Sequence, residues 1–129
     1  MKILLDTHAF LWANADPDRL GAARALFEDG RSDLLLSAAS SWEIAIKHGR
    51  GRLDLPSLPQ RYVSERIRTL GLTPLAVEHS HALMVGELPA HHGDPFDRLL
   101  IAQAQLLTVP IMTADPVFAD YDVEVLRIG

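Results

Sequence analysis

The sequence predicts an α/β fold with a parallel sheet, and two observations lead to that expectation. Strand-like and helical segments alternate along the whole chain, which is typical of parallel strands joined by crossover helices. The first strand, Ile3 to Leu5, is an unbroken apolar run of the kind found in strands buried on both faces. The 129 residues, 48% of them hydrophobic, suffice for one core, so we expect a single domain over residues 1–129.

The first half of the chain predicts two strands and three helices. Asp16 and Pro17 mark a turn before the second helix, and Gly30 ends that helix because glycine adopts the backbone conformation found just beyond helix ends. The run from Gly49 to Arg52 breaks the third helix and predicts an exposed loop. The predicted ranges are strands 3–5 and 34–36 and helices 9–13, 20–28 and 38–47.

The second half predicts three helices and three strands. The first of these helices ends at Gly71, and Pro74 interrupts the strand that follows, since proline cannot donate a ladder hydrogen bond. Asp94 is the expected N-cap of the clearest helix, and Pro95 takes its first position, where the missing N–H costs nothing. The predicted ranges after the first helix are strand 72–77, helices 78–88 and 95–107, and strands 111–113 and 123–128.

Four acidic residues follow an apolar strand or interrupt the apolar face of a helix: Asp6, Glu43, Asp97 and Asp115. Ligands of parallel sheets bind beyond the carboxyl ends of the strands, which is where Asp6 and Asp115 fall. Two carboxylates about 4 Å apart repel by roughly 4 kcal/mol at an effective dielectric of about 20, so a converged cluster needs a cation. Mg²⁺ or Mn²⁺ fits carboxylate oxygens, whereas zinc is disfavoured without cysteine or a paired-histidine motif.

Each acid also has an ordinary structural explanation. Asp6, Asp94 and Asp115 could cap the helix or turn that each precedes, and Asp97 could serve the dipole of a helix first turn. Glu43 could pair with Lys47 at the favourable spacing of four residues, worth about 0.2 to 0.5 kcal/mol. Local rules alone leave these alternatives open.

Composition limits the classes of partner and compartment. Twelve Lys and Arg against 17 Asp and Glu give a formal charge of −5, the wrong sign for a protein that holds nucleic acid mainly through a basic surface. Cysteine is absent, and the apolar run before Asp6 is too short for a signal peptide or membrane span. We therefore expect a cytoplasmic protein without a membrane partner.

Four segments, taken together and in order, resemble the PIN-domain ribonucleases, specifically VapC-type toxins. They are LLDTH at 4–8, SAASSWEIAIK at 37–47, DPFDRLLIAQA at 94–104 and TADPVF at 113–118. The resemblance implies a three-layer α/β/α sandwich around a mainly parallel sheet of four to five strands. It also implies an endoribonuclease that hydrolyses RNA phosphodiesters with water activated by Mg²⁺, for which Mn²⁺ can substitute. A cognate antitoxin as inhibitor and a homodimer are further implications.

The resemblance also maps roles onto residues of this chain. It makes Asp6, Glu43, Asp97 and Asp115 metal-binding catalytic residues, with Asp115 the more variable position in the family. Asp94, Thr7 and Thr113 become supporting residues, the threonines as possible holders of a metal-bound water. RNA-contact candidates are Lys47, Arg50, Arg52 and Arg98, against the alternatives of a solvated loop or, for Arg98, a structural ion pair.

Three other functions compete with this interpretation. A receiver-like phospho-acceptor domain would need an adjacent acidic pair after the first strand, where the chain has Asp6-Thr7. A metal-dependent DNA nuclease is the nearest rival, because the acids do not distinguish DNA from RNA, and an inactive binding module is disfavoured by the presence of all four acids. The scattered histidines are expected to serve surface or packing roles, and Trp12, Trp42 and Phe96 to be buried.

Overall fold

Five short strands form one parallel sheet in the computed structural model, which describes residues 1–129. The strands are β1 (Lys2–Leu5), β2 (Asp33–Ser37), β3 (Thr73–Leu75), β4 (Ile111–Thr113) and β5 (Val125–Arg127). Their order across the sheet is β3-β2-β1-β4-β5, and every neighbouring pair is parallel. The predicted parallel α/β fold is confirmed, and the sheet has the upper number of strands expected.

Six α-helices connect the strands. They are α1 (Thr7–Ala15), α2 (Arg24–Glu28), α3 (Ala38–Gly49), α4 (Pro59–Leu70), α5 (His79–Met84) and α6 (Pro95–Leu107). Short 3₁₀ segments cover Pro17–Ala23, Val85–Glu87 and Pro116–Asp120. None of the helices combines the length and hydropathy that crossing a bilayer demands.

The sheet separates two hydrophobic cores, which explains why its strands are apolar on both faces. In β1, Ile3 and Leu5 belong to one core and Leu4 to the other, because successive side chains of a strand point to opposite faces. Phe10 of α1 packs in the first core, and Leu100 of α6 packs in the second. Helices therefore cover both faces, giving three layers.

The strand order reverses at the centre of the sheet. From β1 the chain moves outward to β2 and β3, and β4 and β5 are then added on the other side of β1. Leu5 pairs with Met112, and the N–H of Asp6 donates to the carbonyl of Met112 at 2.9 Å. Open parallel sheets bind ligands in a crevice at such a reversal, and Asp6 lies at this position. We call the region of Asp6, Glu43, Asp97 and Asp115 the acidic crevice.

Side-chain caps fix where the two helices that carry acids begin. Ser37 accepts from the N–H of Ala39 at 3.0 Å at the start of α3. Asp94 accepts from the N–H of Asp97 at 2.9 Å at the start of α6. The predictions of Asp94 as N-cap and of the range 95–107 are confirmed, because cap, proline and apolar stripe agree.

Three predicted elements differ from the structure. The helix expected over 20–28 is a 3₁₀ segment followed by α2, because Gly21 has a φ of 58° and a ψ of −134°, outside the helical region. The helix expected over 78–88 ends as an α-helix at Met84. The third strand is only Thr73–Leu75, and its Pro74 is tolerated because β3 lies at the sheet edge.

Candidate metal centre

Asp6 is the buried acid at the end of β1, with only 3% of its surface exposed. Its Oδ1 accepts from the N–H of Thr7 at 2.7 Å, and its Oδ2 accepts from Oγ1 of Thr113 at 2.8 Å. Burial raises the pKa of Asp6, against the lowering effect of the Thr113 hydroxyl. The capping explanation is correct for one oxygen, while the other is turned across the sheet toward β4.

Two threonines hold the acidic end of the crevice together. Oγ1 of Thr7 donates to Oγ of Ser40 at 2.9 Å, which ties the start of α1 to α3. Oγ1 of Thr113 accepts from the N–H of Asp115 at 3.0 Å while it donates to Asp6. The Thr113 hydroxyl therefore contacts an acid directly, whereas the Thr7 hydroxyl joins two helices. That either threonine holds a metal-bound water stays a prediction.

Glu43 lies inside α3 and is only 4% exposed. Its Oε2 accepts from Nζ of Lys47 at 2.5 Å, so the predicted pair at four-residue spacing is present. Its Oε1 is buried and has no hydrogen-bond partner in the protein. A buried carboxylate oxygen without a partner carries a desolvation cost of about 1–3 kcal/mol. The pair with Lys47 therefore explains the position of Oε2 but leaves the burial of Oε1 unexplained.

Asp97 faces the crevice from the first turn of α6, with 16% of its side chain exposed. Its Oδ2 lies 3.2 Å from Nε2 of His92. Burial first, and then the charges of Asp94, Asp6, Glu43 and Asp115, raise the pKa of Asp97 to about 8. Acids from four separate places in the sequence therefore act on one carboxyl group.

Asp115 follows β4 and is the most open of the four predicted ligands. Its Oδ1 accepts from the N–H of Val117 at 3.0 Å and caps the 3₁₀ segment Pro116–Asp120. The residue is exposed, although its charge contributes to the raised pKa of Asp97. Asp115 is therefore the exposed member of the four acids, whereas Asp6 and Glu43 are buried and Asp97 is half-buried.

The acidic crevice fits a divalent cation on two observations. Glu43 has a buried oxygen without a partner, and the Asp97 carboxyl is surrounded by like charges that a cation would neutralise. No three of the acidic and histidine side chains stand close enough together to enclose an ion as they are placed. In this conformation Glu43 is paired with Lys47, so ion binding requires the Glu43 side chain to move.

Lys47→Met is expected to destabilise the protein in EDTA by about 1–3 kcal/mol, because the buried Glu43 carboxylate then lacks its ammonium partner. Saturating Mn²⁺ should reduce the difference in the free energy of unfolding between the variant and wild type, since the cation replaces the ammonium at Glu43. Urea denaturation of both proteins with EDTA and with Mn²⁺ measures this. A gap of the same size in both buffers would contradict Glu43 as an ion ligand.

The four basic RNA-contact candidates divide into two groups. Arg50 and Arg52 are exposed in the loop after α3, and Lys47 is half-exposed beside Glu43. Arg98 differs, because its guanidinium is occupied within the protein. It donates to the carbonyls of Val85, Leu88, Pro89 and His92 and to the hydroxyl of Tyr121, at 2.8 to 3.4 Å.

Arg98 is therefore a structural residue in this conformation, because its terminal N–H groups donate to acceptors within the protein and not to a bound phosphate. The predicted alternative of a structural pair was correct in kind, but the acceptors are carbonyl oxygens and a phenol in place of an acid. Arg98 is next to Asp97 in the sequence, and no local pattern indicates that the segment 85–92 folds around it. Of the four candidates, Arg50 and Arg52 are exposed to a polyanion, whereas Lys47 is half-exposed and paired with Glu43.

The histidines were expected to serve surface or packing roles, and the half-buried His92 packs against the Asp97 carboxylate and the Tyr121 ring. One expectation needs correction. Trp42 was expected to be buried, but it is 59% exposed and contacts Phe96 edge-on, with ring centroids 5.1 Å apart. Its place beside Glu43 on α3 puts it on the outer side of the helix.

The sequence has relatives among curated ribonucleases of Mycobacterium tuberculosis. Ribonuclease VapC22 is 33% identical over 105 residues, covering 79% of this chain and 78% of that protein. Ribonuclease VapC16 is 45% identical over 64 residues, covering 50% of this chain and 45% of that protein, so less than half of its length is matched. Residues 3–124 match the family model of the PIN domain.

Solved structures share the fold over almost the whole chain. VapBC2 from Rickettsia felis bound to a DNA fragment from its promoter gives a TM-score of 0.74 at 14% identity, covering 100% of both chains. DNA-bound VapBC from Salmonella typhimurium gives 0.71 at 18% identity, covering 98% of both. FitAcB from Neisseria gonorrhoeae gives 0.64 at 21% identity, covering 97% of this chain and 96% of that one. At these identities the solved structures show the fold alone. The family model and the VapC22 relationship establish that this chain belongs to the PIN-domain family, in its VapC group.

Proposed function

We propose that this chain is a divalent-metal-dependent endoribonuclease toxin that hydrolyses RNA phosphodiester bonds. The observation that carries the proposal is the convergence of acids on Asp97, whose pKa burial and four neighbouring carboxylates raise to about 8. Structural capping alone does not require acids from β1, α3, α6 and the turn after β4 to share one crevice. Relatives named as ribonucleases support RNA as the substrate.

Asp6, Glu43 and Asp97 would hold the cation, and the exposed Asp115 would be the fourth ligand. Bound Mg²⁺ or Mn²⁺ would supply a water of lowered pKa and a positive charge that stabilises the phosphate. Thr113 keeps the Asp6 carboxylate turned across the sheet, and Asp94 fixes the backbone of Asp97. Thr7 ties α1 to α3 beside these ligands.

RNA would approach along the exposed basic side of the crevice. Lys47, Arg50 and Arg52 lie at the end of α3 and in the loop that follows it, and they would contact phosphates, which position a strand without selecting a sequence. Because the chain has a formal net charge of −5, attraction of RNA would be confined to these basic residues. A metal-dependent DNA nuclease is the alternative, because phosphate chemistry alone does not recognise the 2′-OH.

The regulatory half of the proposal concerns protein partners. We propose a cognate antitoxin that inhibits the enzyme, a homodimer, a cytoplasmic location and a single PIN domain over residues 1–129. The VapBC structures that share the fold support a VapB-type partner. An acidic crevice of this kind would accept a basic side chain of an inhibitor, since opposite charge relieves the same repulsion that a metal ion does.

A cleavage assay on matched RNA and DNA strands tests the enzymatic proposal. We expect wild type to cut RNA with Mg²⁺ or Mn²⁺, to stop in EDTA, and to leave DNA of the same sequence intact. Asp6→Asn should be inactive with an unchanged far-UV spectrum, because it loses a metal ligand and keeps the capping oxygen. DNA cleavage with intact RNA would favour the alternative, and wild-type rates in Asp6→Asn would refute the site.

A further inference from the structure

A run of hydrogen bonds connects the Asp97 carboxylate to the interior of the protein through His92. Nε2 of His92 lies 3.2 Å from Oδ2 of Asp97, and Nδ1 of the same ring lies 2.7 Å from the hydroxyl oxygen of Tyr121. Arg98 donates to that oxygen at 3.0 Å. Tyr121 is only 4% exposed and the other three residues are half-buried, so water competes weakly for these bonds.

The ionised Asp97 carboxylate sets the direction of this run. A carboxylate can only accept, so Nε2 of His92 carries the ring proton and donates to Asp97. In the neutral ring Nδ1 then accepts from the Tyr121 O–H, and Arg98, which can only donate, donates to the Tyr121 oxygen. The donors follow one sequence, from Arg98 through Tyr121 and His92 to Asp97.

Arg98 itself is fixed by the segment that precedes α6. It donates to the carbonyls of Pro89 at 2.8 Å, of Val85 at 3.2 Å and of Leu88 at 3.3 Å. The far end of the run is therefore attached to backbone and not to a mobile side chain. Rotation of the His92 ring would break bonds at both of its nitrogens.

Asp97 is held at two points as a result. Asp94 accepts from its backbone N–H at 2.9 Å, and His92 holds Oδ2 of its side chain. Like charges surround this carboxylate, and they would turn an unrestrained carboxylate toward solvent. With Oδ2 held, Oδ1 is the oxygen that can be offered to a cation.

We propose that His92, backed by Tyr121 and Arg98, is a positioning residue that keeps Asp97 oriented for divalent-cation binding; this inference rests on the proposed function. Hydrogen-bond partners of metal ligands commonly contribute 10–100-fold to metal affinity or activity, because they fix the ligand before the ion arrives. His92 acts through Asp97 and needs no contact with RNA.

The test is calorimetric titration of Mn²⁺ into EDTA-treated, dialysed full-length protein. His92→Phe keeps an aromatic ring beside Tyr121 and loses both hydrogen bonds, so we expect about 10-fold or greater weakening of Mn²⁺ binding. His92→Gln retains an amide donor for Asp97 and should recover part of the affinity. His91→Phe is the matched control. The His91 ring also packs edge-on against Tyr121, with ring centroids 4.8 Å apart, but it makes no hydrogen bond to Asp97.

RNA cleavage kinetics give a second measurement on the same variants. At a fixed subsaturating Mn²⁺ concentration, His92→Phe should lower kcat and leave KM for RNA unchanged, whereas damage to the RNA surface would raise KM. Tyr121→Phe removes the hydroxyl and keeps the ring, and it covers the case in which His92→Phe does not fold. As a single substitution, Tyr121→Phe should weaken Mn²⁺ binding. In the His92→Phe background it should cause no further loss of affinity, because both residues act through the same run of hydrogen bonds.

Wild-type Mn²⁺ affinity in His92→Phe or Tyr121→Phe would overturn the inference, and so would equal weakening by His91→Phe. His92→Gln no tighter than His92→Phe would also count against it, because the donor to Asp97 would then be irrelevant. If wild type itself neither binds Mn²⁺ nor cleaves RNA, the proposed function fails, and the positioning role fails with it. Wild-type binding with unaffected variants leaves the proposed function standing.

Discussion

Asp97→Asn is expected to abolish RNA cleavage and, in EDTA at pH 8, to make the protein more stable than wild type. The activity is lost because a neutral amide is a poor ligand for Mg²⁺. The stability is gained because the amide removes a charge from a group of acids that repel one another. An asparagine oxygen can still accept from His92, so the local hydrogen bond is preserved.

The pH dependence of this gain follows from the raised pKa of Asp97. Its folded value is about 8, against an ordinary value of 3.8, so between about pH 4 and pH 8 the folded protein binds more protons than the unfolded chain. The free energy of unfolding of metal-free wild type therefore falls as pH rises through this window, by an amount on the order of a few kcal/mol. Burial also raises the pKa of Asp6, which leaves a smaller slope of the same sign in the variant.

Urea denaturation in EDTA from pH 5 to pH 9 measures both curves. The difference in the free energy of unfolding between wild type and Asp97→Asn should be smallest at pH 5 and should widen toward pH 8. Asp29→Asn, at an exposed carboxyl far along the chain from the crevice, is the control and should follow wild type. A variant less stable than wild type at pH 8 would show that the acids do not converge.

Arg98→Met is expected to lower the free energy of unfolding by about 3 kcal/mol, because hydrogen bonds from a charged donor are worth about 1.5–3 kcal/mol each and several share this one group. Methionine fills similar apolar volume and donates nothing, so the carbonyls of Val85, Leu88 and Pro89 lose their partner. Arg98→Lys should recover little, since an ammonium cannot reproduce the planar fork. Thermal and urea denaturation measure the loss.

Arg50→Met is the comparison that separates a structural arginine from an RNA-contacting one. Arg50 is exposed, so its replacement should leave stability within about 0.5 kcal/mol of wild type and raise KM for RNA. If Arg98→Met instead kept full stability and raised KM, the guanidinium would be a phosphate contact. The two arginines would then have exchanged the roles assigned to them here.

Helix α6 shows what could be predicted from the sequence and why. Its range, its Asp94 cap and its Pro95 start were all predicted, because each depends on residues within one or two turns. The first strand could also be predicted, since a run of three apolar residues between polar ones is typical of a short buried strand. Elements without a local marker of this strength were less well predicted, as the break at Gly21 shows.

The candidate site was predicted only as a set of residues. Asp6, Glu43, Asp97 and Asp115 could be selected by type, position and resemblance, and the structure brings their charges to one crevice. The contacts that organise them were not predictable. The bond between Asp6 and Thr113 joins residues 107 positions apart, and it exists because β4 is added beside β1 after the chain has built the other half of the sheet.

The sequence by itself therefore determined the local elements and the acidic residues available for chemistry, because helix caps and apolar periodicity act over a few residues. Only the tertiary structure decided that the Arg98 guanidinium is turned inward, that His92 holds Asp97, and that Trp42 is exposed. These outcomes depend on how the segment 85–92 and α3 pack against α6. Packing of that kind joins residues far apart in the chain, beyond the range of any local pattern.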